Sequence, residues 1–119
     1  MKNVLVLGAS LNVDRYSNMA MKKLDEKGFS VLSLGKNKGY VGSMQIRSEE
    51  FLINDLYAIS MYLNARNQVD YYDYIIELKP RKVVFNPGSE NKALEMLLDT
   101  HNIIHERACT LVLLSIGQF

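Results

Sequence analysis

Near the start of the chain, a short apolar run stops at a glycine, and this pattern restricts the fold more than any other stretch. Val4–Leu7 is wholly apolar and contains β-branched valines, which indicates a buried strand. The small-residue loop Gly8-Ala9-Ser10 follows, and a helical pattern begins at about Met19. Strand, glycine turn and helix in this order predict the first unit of a nucleotide-binding α/β fold. A phosphate suits such a turn, because backbone N–H groups and the positive end of the helix dipole meet there.

The length and composition indicate one ordinary globular domain spanning residues 1–119. The hydrophobic fraction of 48% and the charged fraction of 23% are typical of such proteins. The net charge of +1 gives no reason to expect nucleic acid or an anionic membrane as a partner. Cys109 is the only cysteine, so no disulfide forms within the chain, which suits a reducing compartment. No apolar run approaches a membrane span and no signal-peptide layout is present, so we expect a cytoplasmic protein.

The rest of the chain alternates between strand and helix patterns. The predicted strands are Asn3–Leu7, Phe29–Leu34, Leu56–Tyr62, Lys82–Phe85 and Ile103–His105, with Gly42–Ile46 as a candidate short strand. The predicted helices are Ser17–Lys27, Gln68–Leu78 and Glu90–His101, with a helical turn at Ser48–Glu50. Cys109–Ile116 reads equally as a strand or a docking helix. The order predicts an α/β, Rossmann-like three-layer fold with a mostly parallel sheet and helices on both faces.

Two details of the predicted helices are specific enough to be tested. In Gln68–Leu78, Val69 and Ile75 belong to the expected buried face, while Tyr74 is expected to project elsewhere. Ser89 is expected to cap the helix that starts at Glu90.

Four loops are expected to converge at the carboxyl edge of the sheet, where α/β proteins bind ligands. These loops are Gly8–Asn18, Gly35–Gly39, Leu63–Asn67 and Asn86–Glu90. In the first loop, the backbone N–H groups of Gly8, Ala9 and Ser10 would hold a pyrophosphate. Arg15 would reach the same group or pair with Asp14 at the surface.

Hydroxyl and amide side chains at the start of the first helix have two possible roles. Tyr16, Ser17 and Asn18 would donate hydrogen bonds to phosphate oxygens. Ser17 or Asn18 would alternatively cap the helix, and both roles are compatible.

The glycine pattern is not a complete dinucleotide fingerprint, because Ser10 and Val13 occupy the second and third glycine positions. The second strand ends without the acidic residue that NAD-binding proteins place there. It leads instead into Gly35, Lys36 and Lys38, which suit a phosphate on the adenosine ribose. This favours NADP or coenzyme A (CoA) as the ligand. A turn without ligand and a solvated basic loop are the alternatives.

Two later segments add candidates. Asn86-Pro87-Gly88 precedes a helix, and its N–H groups would form a wall of the pocket or an ordinary turn. Cys109 is most simply a small buried apolar residue. The alternative is that it faces the ligand thiol and forms a mixed disulfide, with Arg107 nearby to lower its pKa.

These segments resemble the small single-domain CoA-binding family, whose fold is shared with the CoA-binding domain of succinyl-CoA synthetase α subunits. The matching residues are Gly8-Ala9-Ser10, Asn12, Asp14-Arg15-Tyr16-Ser17, Gly28, the loop Gly35–Gly39, Asn86-Pro87-Gly88 with Glu90-Asn91, and Arg107 to Cys109. The resemblance implies that the protein binds CoA or an acyl-CoA without catalysis of its own. The residues expected to bind the ligand are Gly8, Ala9, Ser10, Asn12, Arg15, Tyr16, Ser17, Gly35, Lys36, Lys38, Asn86, Pro87 and Gly88.

Two other functions stay open at the level of sequence. An NADP-binding oxidoreductase or redox sensor would use the same loops, although the sequence shows no catalytic motif and no metal-ligand spacing. An interaction subunit with a decayed pocket would place the apolar segment Cys109–Ile116 in a homo-oligomer interface.

Overall fold

Seven strands form one sheet, in which six strands run parallel and one short edge strand runs antiparallel. The computed structural model describes residues 1–119. The strands are β1 (Asn3–Leu7), β2 (Ser30–Leu34), β3 (Gly39–Val41), β4 (Met44–Arg47), β5 (Leu56–Met61), β6 (Lys82–Phe85) and β7 (Ile104–Arg107). Their order across the sheet is β3-β4-β2-β1-β5-β6-β7.

Helices cover both faces of this sheet. They are α1 (Tyr16–Glu26), α2 (Ala65–Gln68), α3 (Tyr72–Leu78), α4 (Lys92–Thr100) and α5 (Thr110–Ser115). On one face, α1 and α5 pack through Met21, Leu24 and Leu114. On the other face, the larger core cluster includes side chains of α3 and α4. The predicted α/β fold with a mostly parallel sheet between two helical layers is confirmed.

The direction of chain winding reverses at β1. From β1 the chain moves outward to β2, β3 and β4, and it then returns to place β5 on the other side of β1. The connections after β1 and β5 therefore leave in opposite directions and open a crevice at the carboxyl ends of these strands. Such a reversal is where open α/β sheets bind ligands.

The segment between β2 and β5 differs from its prediction. Gly39–Val41 and Met44–Arg47 form an antiparallel hairpin, in place of the single strand predicted at Gly42–Ile46. The helical turn expected at Ser48–Glu50 is absent. Phe51 is held instead by tertiary contacts, since its N–H donates to the Tyr74 hydroxyl and its carbonyl accepts from it.

The helix predicted for Gln68–Leu78 is interrupted. A 3₁₀ turn at Val69–Tyr71 separates α2 from α3 and rotates the buried face. Val69, expected inside, is 56% exposed, whereas Tyr74, expected outside, is buried beside Ile75. Tyr74 is inside because its hydroxyl donates to the carbonyl of Phe51 at 2.7 Å.

The later elements also shift from their predicted bounds. Helix α4 begins at Lys92 rather than Glu90, because Asn91 provides the cap by accepting from the N–H of Leu94 at 3.1 Å. Ser89 does not cap this helix, since its hydroxyl donates to the Asn86 carbonyl. The segment left undecided by its periodicity is a helix, α5.

Candidate functional site

A cavity of about 230 Å³ lies between the loop after β1 and the start of α1. Among the residues predicted to bind ligand, it is lined by Ser10, Arg15, Tyr16 and Ser17 from this loop and helix. Gly8 and Pro87 also line it, together with Tyr62 at the exit of β5. The structure therefore brings the first predicted loop and the turn after β6 together around one space, which we call the phosphate cavity.

Gly8 is required where the chain leaves β1. Its φ of +93° is unfavourable for residues with a side chain, and a Cβ there would lie 2.9 Å from the backbone nitrogen of Leu63. The N–H groups of Gly8 and Ala9 both donate to the carbonyl of Leu34, at 2.9 and 3.0 Å. They are therefore engaged within the protein, unlike the free donors that the sequence predicted. Their role is to fix the loop to the end of β2.

The unpaired donors lie further along the loop. The backbone N–H groups of Ser10, Tyr16 and Ser17 donate to no acceptor in the protein. Helix α1 begins after Arg15 without a side-chain cap, so the expected capping role of Ser17 is not present. An uncapped start with free N–H groups in a cavity wall is suited to an anion.

Two asparagines shape the loop that carries these donors. Asn18 is fully buried, and its amide nitrogen donates to the Ser10 carbonyl at 3.0 Å. Asn12 is exposed, and its side chain accepts from the N–H of Asp14 at 2.9 Å. Asn12, predicted to bind ligand, does not line the phosphate cavity and has this local turn contact. Both side chains hold the loop in the shape that presents Ser10.

Arg15 is the cation nearest to these donors in sequence and lines the same cavity. It is exposed and makes no ion pair, so the surface pair with Asp14 that the sequence allowed does not form. Its guanidinium is therefore free to reach an anion in the cavity.

A second cavity of about 340 Å³ adjoins the first through Gly8. Gly35 and Lys36 after β2 form one side, and Leu63, Asn67 and Tyr71 after β5 belong to the other. We call it the Lys36 cavity. The loops after β1, β2 and β5 therefore converge as expected at the reversal point of the sheet.

The two lysines predicted as a pair do not line the same space. Lys38 lines a separate surface cavity with Arg47 and Glu50, beyond β4. The hairpin of β3 and β4 causes this separation, because it turns the chain outward just after Lys38. Lys36 alone lines the cavity that adjoins the phosphate cavity.

A third cavity of about 270 Å³ adjoins the phosphate cavity. Tyr16, Tyr62 and Pro87 line both spaces, and Asn86 and Cys109 complete the wall. No charged residue lines this space, which we call the Cys109 chamber. Burial raises the pKa of the Tyr62 hydroxyl to about 12, so this group stays protonated at neutral pH.

The turn after β6 contributes mainly through its proline. Asn86 is buried and connects three elements, since its amide nitrogen donates to the Ser60 hydroxyl and the Met61 carbonyl, and its oxygen accepts from the N–H of Thr110. The N–H of Gly88 donates to the Glu90 carboxylate at 3.0 Å. The backbone N–H of Asn86 also donates, to the Met61 carbonyl at 3.3 Å, so the N–H groups that the sequence assigned to a pocket wall are engaged within the protein. These contacts hold Pro87 in place.

Sequence reasoning missed a buried glutamine that joins two of the site loops. The amide nitrogen of Gln68 donates to the carbonyls of Leu63 and Ser89, and its oxygen accepts from Asn91. Gln68 is completely buried. No local signal distinguishes this glutamine from an exposed one, because Ser89 and Asn91 are more than twenty residues away in sequence.

Arg107 does not serve the role expected beside Cys109. Its guanidinium donates two hydrogen bonds to the Glu95 carboxylate, at 2.7 and 3.2 Å. These bonds hold the pKa of Glu95 below its usual range. Arg107 therefore connects β7 to α4.

No helix in the structure is both long and apolar enough to cross a membrane. No group of three or more histidine, cysteine, aspartate or glutamate side chains is arranged to hold a metal ion.

Three solved structures resemble this chain over most of its length. A crystal structure of an uncharacterized protein is 39% identical, with a TM-score of 0.96 over 100% of this chain and 98% of that one. A Thermus thermophilus structure, cell-free ID.343, is 18% identical, with a TM-score of 0.84 over 99% of this chain and 90% of that one. A conserved hypothetical protein from Pyrococcus furiosus is 22% identical, with a TM-score of 0.80 over 94% and 99%. The last two likenesses concern the fold alone.

No curated protein matches the chain in sequence. The family model described as "CoA binding domain" matches residues 2–115, which include all of the sheet and all five helices. The resemblance read from the sequence is thereby confirmed. The chain belongs to this family of CoA-binding domains.

Proposed function

We propose that this protein binds CoA or an acyl-CoA, with the pyrophosphate in the phosphate cavity. The observation that carries the proposal is the set of free donors at the start of α1. The N–H groups of Ser10, Tyr16 and Ser17 have no protein acceptor, and the unpaired Arg15 lines the same cavity. Unpaired donors at a helix start are satisfied by an anion, and the family membership indicates which nucleotide supplies it.

The adenosine end would occupy the Lys36 cavity. Leu63 and the ring of Tyr71 offer an apolar surface for a base, and Lys36 offers a charge for the ribose 3′-phosphate. Asn67 and Asp70 supply polar groups on the same wall. Lys36 supports this orientation, because it places a cation in the cavity where the ribose 3′-phosphate at the adenosine end of CoA would lie.

An NADP-binding oxidoreductase or redox sensor remains the second candidate. The same Lys36 would serve a 2′-phosphate, and the phosphate cavity would serve either pyrophosphate. The two ligands differ in what extends beyond the pyrophosphate. CoA carries a flexible arm that ends in a thiol, whereas NADP carries a second ribose and a planar ring.

Isothermal titration calorimetry with CoA, dephospho-CoA, NADP and NAD tests the proposal. We expect CoA to bind more tightly than NADP or NAD, and Arg15→Ala to weaken CoA about tenfold through loss of a charge-assisted contact. Arg81→Ala is the matched control, because Arg81 lies at the amino end of β6, whereas the cavities lie at the carboxyl ends of the strands. Tighter binding of NADP than of CoA would replace the first candidate with the second.

A further inference from the structure

A cavity of about 440 Å³ lies at the amino ends of β6 and β7, away from the site described above. It is enclosed by the loop that joins α3 to β6 and the loop that joins α4 to β7. Both loops lead into a strand, whereas the phosphate cavity lies where strands end. We call this space the amino-edge cavity. Its volume is sufficient for a small molecule, and the proposed function makes no use of it.

The amino-edge cavity has a basic wall. Lys79 and Arg81 contribute an ammonium and a guanidinium group, and His101 contributes a ring N–H. No acidic residue lines the space, and none of these three side chains forms an ion pair. Asp99, two residues before His101, is bound instead to His105 at 2.7 Å. The three basic groups are therefore available to an oxyanion from outside the protein.

Three isoleucines give the same cavity an apolar part. Ile103 is buried and Ile76 is half-buried, while Ile104 is 69% exposed. Ile104 thus leaves a large apolar surface uncovered beside the basic groups. A ligand that joins an apolar body to an anionic end would cover this surface and meet the cations at the same time.

Lys79 occupies a backbone position that does not favour a side chain. It follows α3 with a φ of +49°, in the left-handed conformation that glycine adopts most easily. Helices commonly end in glycine at this position. The cation of Lys79 offsets the negative end of the α3 dipole, and contact with an anionic ligand is a second role that can be measured separately.

The backbone at this edge favours a carboxylate over a phosphate. Pro80 has no N–H, and the N–H groups of five other wall residues donate to carbonyls, namely those of Lys79, Arg81, His101, Asn102 and Ile103. Helices α3 and α4 both end here, so the negative ends of their dipoles disfavour a doubly charged anion. A phosphate binds more readily where free N–H groups meet a helix start. A carboxylate needs only side-chain donors, and a guanidinium binds it through two parallel hydrogen bonds.

We propose that the amino-edge cavity binds a small organic carboxylate with an apolar tail, such as a short aliphatic acid. The carboxylate would lie between Lys79, Arg81 and His101, and the tail would cover Ile104. This site lies at the opposite edge of the sheet from the phosphate cavity, and the inference does not depend on the proposed function. We therefore expect CoA and the carboxylate to bind without competition.

Titration of the ¹⁵N-labelled protein with hexanoate, followed by amide chemical shifts in NMR spectra, tests the site. We expect saturable shifts centred on the amides of Arg81, Asn102 and Ile104, with the same affinity when CoA is present. 1-Hexanol keeps the tail without the charge, and acetate keeps the charge without the tail, so each should bind at least about tenfold more weakly. Hexanoate binding no tighter than that of either compound, or displacement of hexanoate by CoA, would overturn the inference.

Variants at Lys79 separate ligand binding from support of the helix end. Lys79→Gly should weaken hexanoate about tenfold without loss of thermal stability, because glycine suits the φ of +49°. Lys79→Arg keeps a cation and should retain most of the affinity. Lys22→Ala is the matched control, because it removes an exposed lysine from α1 and should leave hexanoate binding unchanged. Unchanged hexanoate affinity in Lys79→Gly would show that this lysine serves only the helix end, and it would overturn the site.

A variant in the second loop position does not depend on the cap of α3. Arg81→Ala should weaken hexanoate about tenfold through loss of the paired hydrogen bonds, while CoA binding stays as in the original protein. Equal hexanoate affinity in Arg81→Ala and the original protein would likewise overturn the site.

Discussion

Gly35 lies so close to Ala9 that a Cβ at position 35 would overlap the Ala9 carbonyl oxygen. The same two loops are joined by the hydrogen bonds of Gly8 and Ala9 to the carbonyl of Leu34. The turn after β1 and the exit of β2 therefore form one rigid corner. This corner separates the phosphate cavity from the Lys36 cavity, so its geometry sets the distance between the two.

Substitution of Gly35 by alanine tests this corner. The Ala9 obstruction is backbone, which cannot rotate away, so we expect a destabilisation of about 2 kcal/mol or more and weaker CoA binding. Gly42→Ala is the control. It lies in open space with a φ of +61° and should cost only about 1 kcal/mol of backbone strain, with CoA binding unchanged. Thermal unfolding and calorimetry give both quantities, and a Gly35→Ala protein as stable as the original would contradict the tight contact.

The separation of the two lysines leads to a prediction about ligand choice. Lys36→Ala should weaken CoA about tenfold and dephospho-CoA far less, because a charge-assisted bond to the ribose phosphate is lost. Lys38→Ala should have the smaller effect on CoA, since Lys38 lines a different cavity with Arg47. Calorimetric titration of each variant with both ligands measures this. Equal losses for the two ligands on removal of Lys36 would refute its assignment to the 3′-phosphate.

Asn86 is predicted to support structure more than ligand contact. Asn86→Ala leaves the buried Thr110 N–H without an acceptor and removes the donor to the Ser60 hydroxyl, which keeps its bond to the Thr110 hydroxyl. We therefore expect a loss of about 2–3 kcal/mol in the free energy of unfolding. The exposed Asn37 is the matched control, and Asn37→Ala should stay within about 0.5 kcal/mol. Urea denaturation of both variants checks the difference. If Asn86→Ala leaves the free energy of unfolding nearly unchanged, α5 docks without the Asn86 side chain.

Tyr62 leads to a prediction at alkaline pH. Its pKa is raised to about 12 in the folded protein by burial, from an ordinary value of 10.0. The unfolded chain releases this proton at a lower pH than the folded protein does. This contribution to the free energy of unfolding is therefore complete below pH 10 and is lost as the pH rises through the folded pKa. The loss amounts to at most roughly 3 kcal/mol. Tyr62→Phe should show a smaller decline in stability over this interval, measured by urea denaturation at several pH values. The contrary result is an identical alkaline decline in both proteins.

Local sequence patterns predicted the main architecture well. The apolar strands β1 and β6 lie within one residue of their predicted bounds, because a buried parallel strand needs a continuous apolar run. The glycine turn and helix after β1 were likewise predicted, and five of the residues proposed there as ligand contacts line a single cavity. The amphipathic helix α1 was recognised from its apolar spacing.

Contacts between distant segments account for the remaining differences. Tyr74 is buried because its hydroxyl bonds to Phe51, and no pattern within its own helix indicates that partner. The N–H groups of Gly8 and Ala9 are engaged because β2 lies beside β1 and presents the Leu34 carbonyl. Lys36 and Lys38 line different cavities, because the hairpin of β3 and β4 begins directly after Lys38.

The amino-acid sequence by itself determined the alternation of strands and helices and the glycine turn after β1, because these depend on periodicity and on residues adjacent in the chain. Only the tertiary structure decided which backbone N–H groups stay unpaired, which of Lys36 and Lys38 lines the cavity that adjoins the phosphate cavity, and where Cys109 lies. Hydrogen-bond donors and cavity walls depend on partners from other elements, and the packing of β1, β2 and β5 brings those partners together.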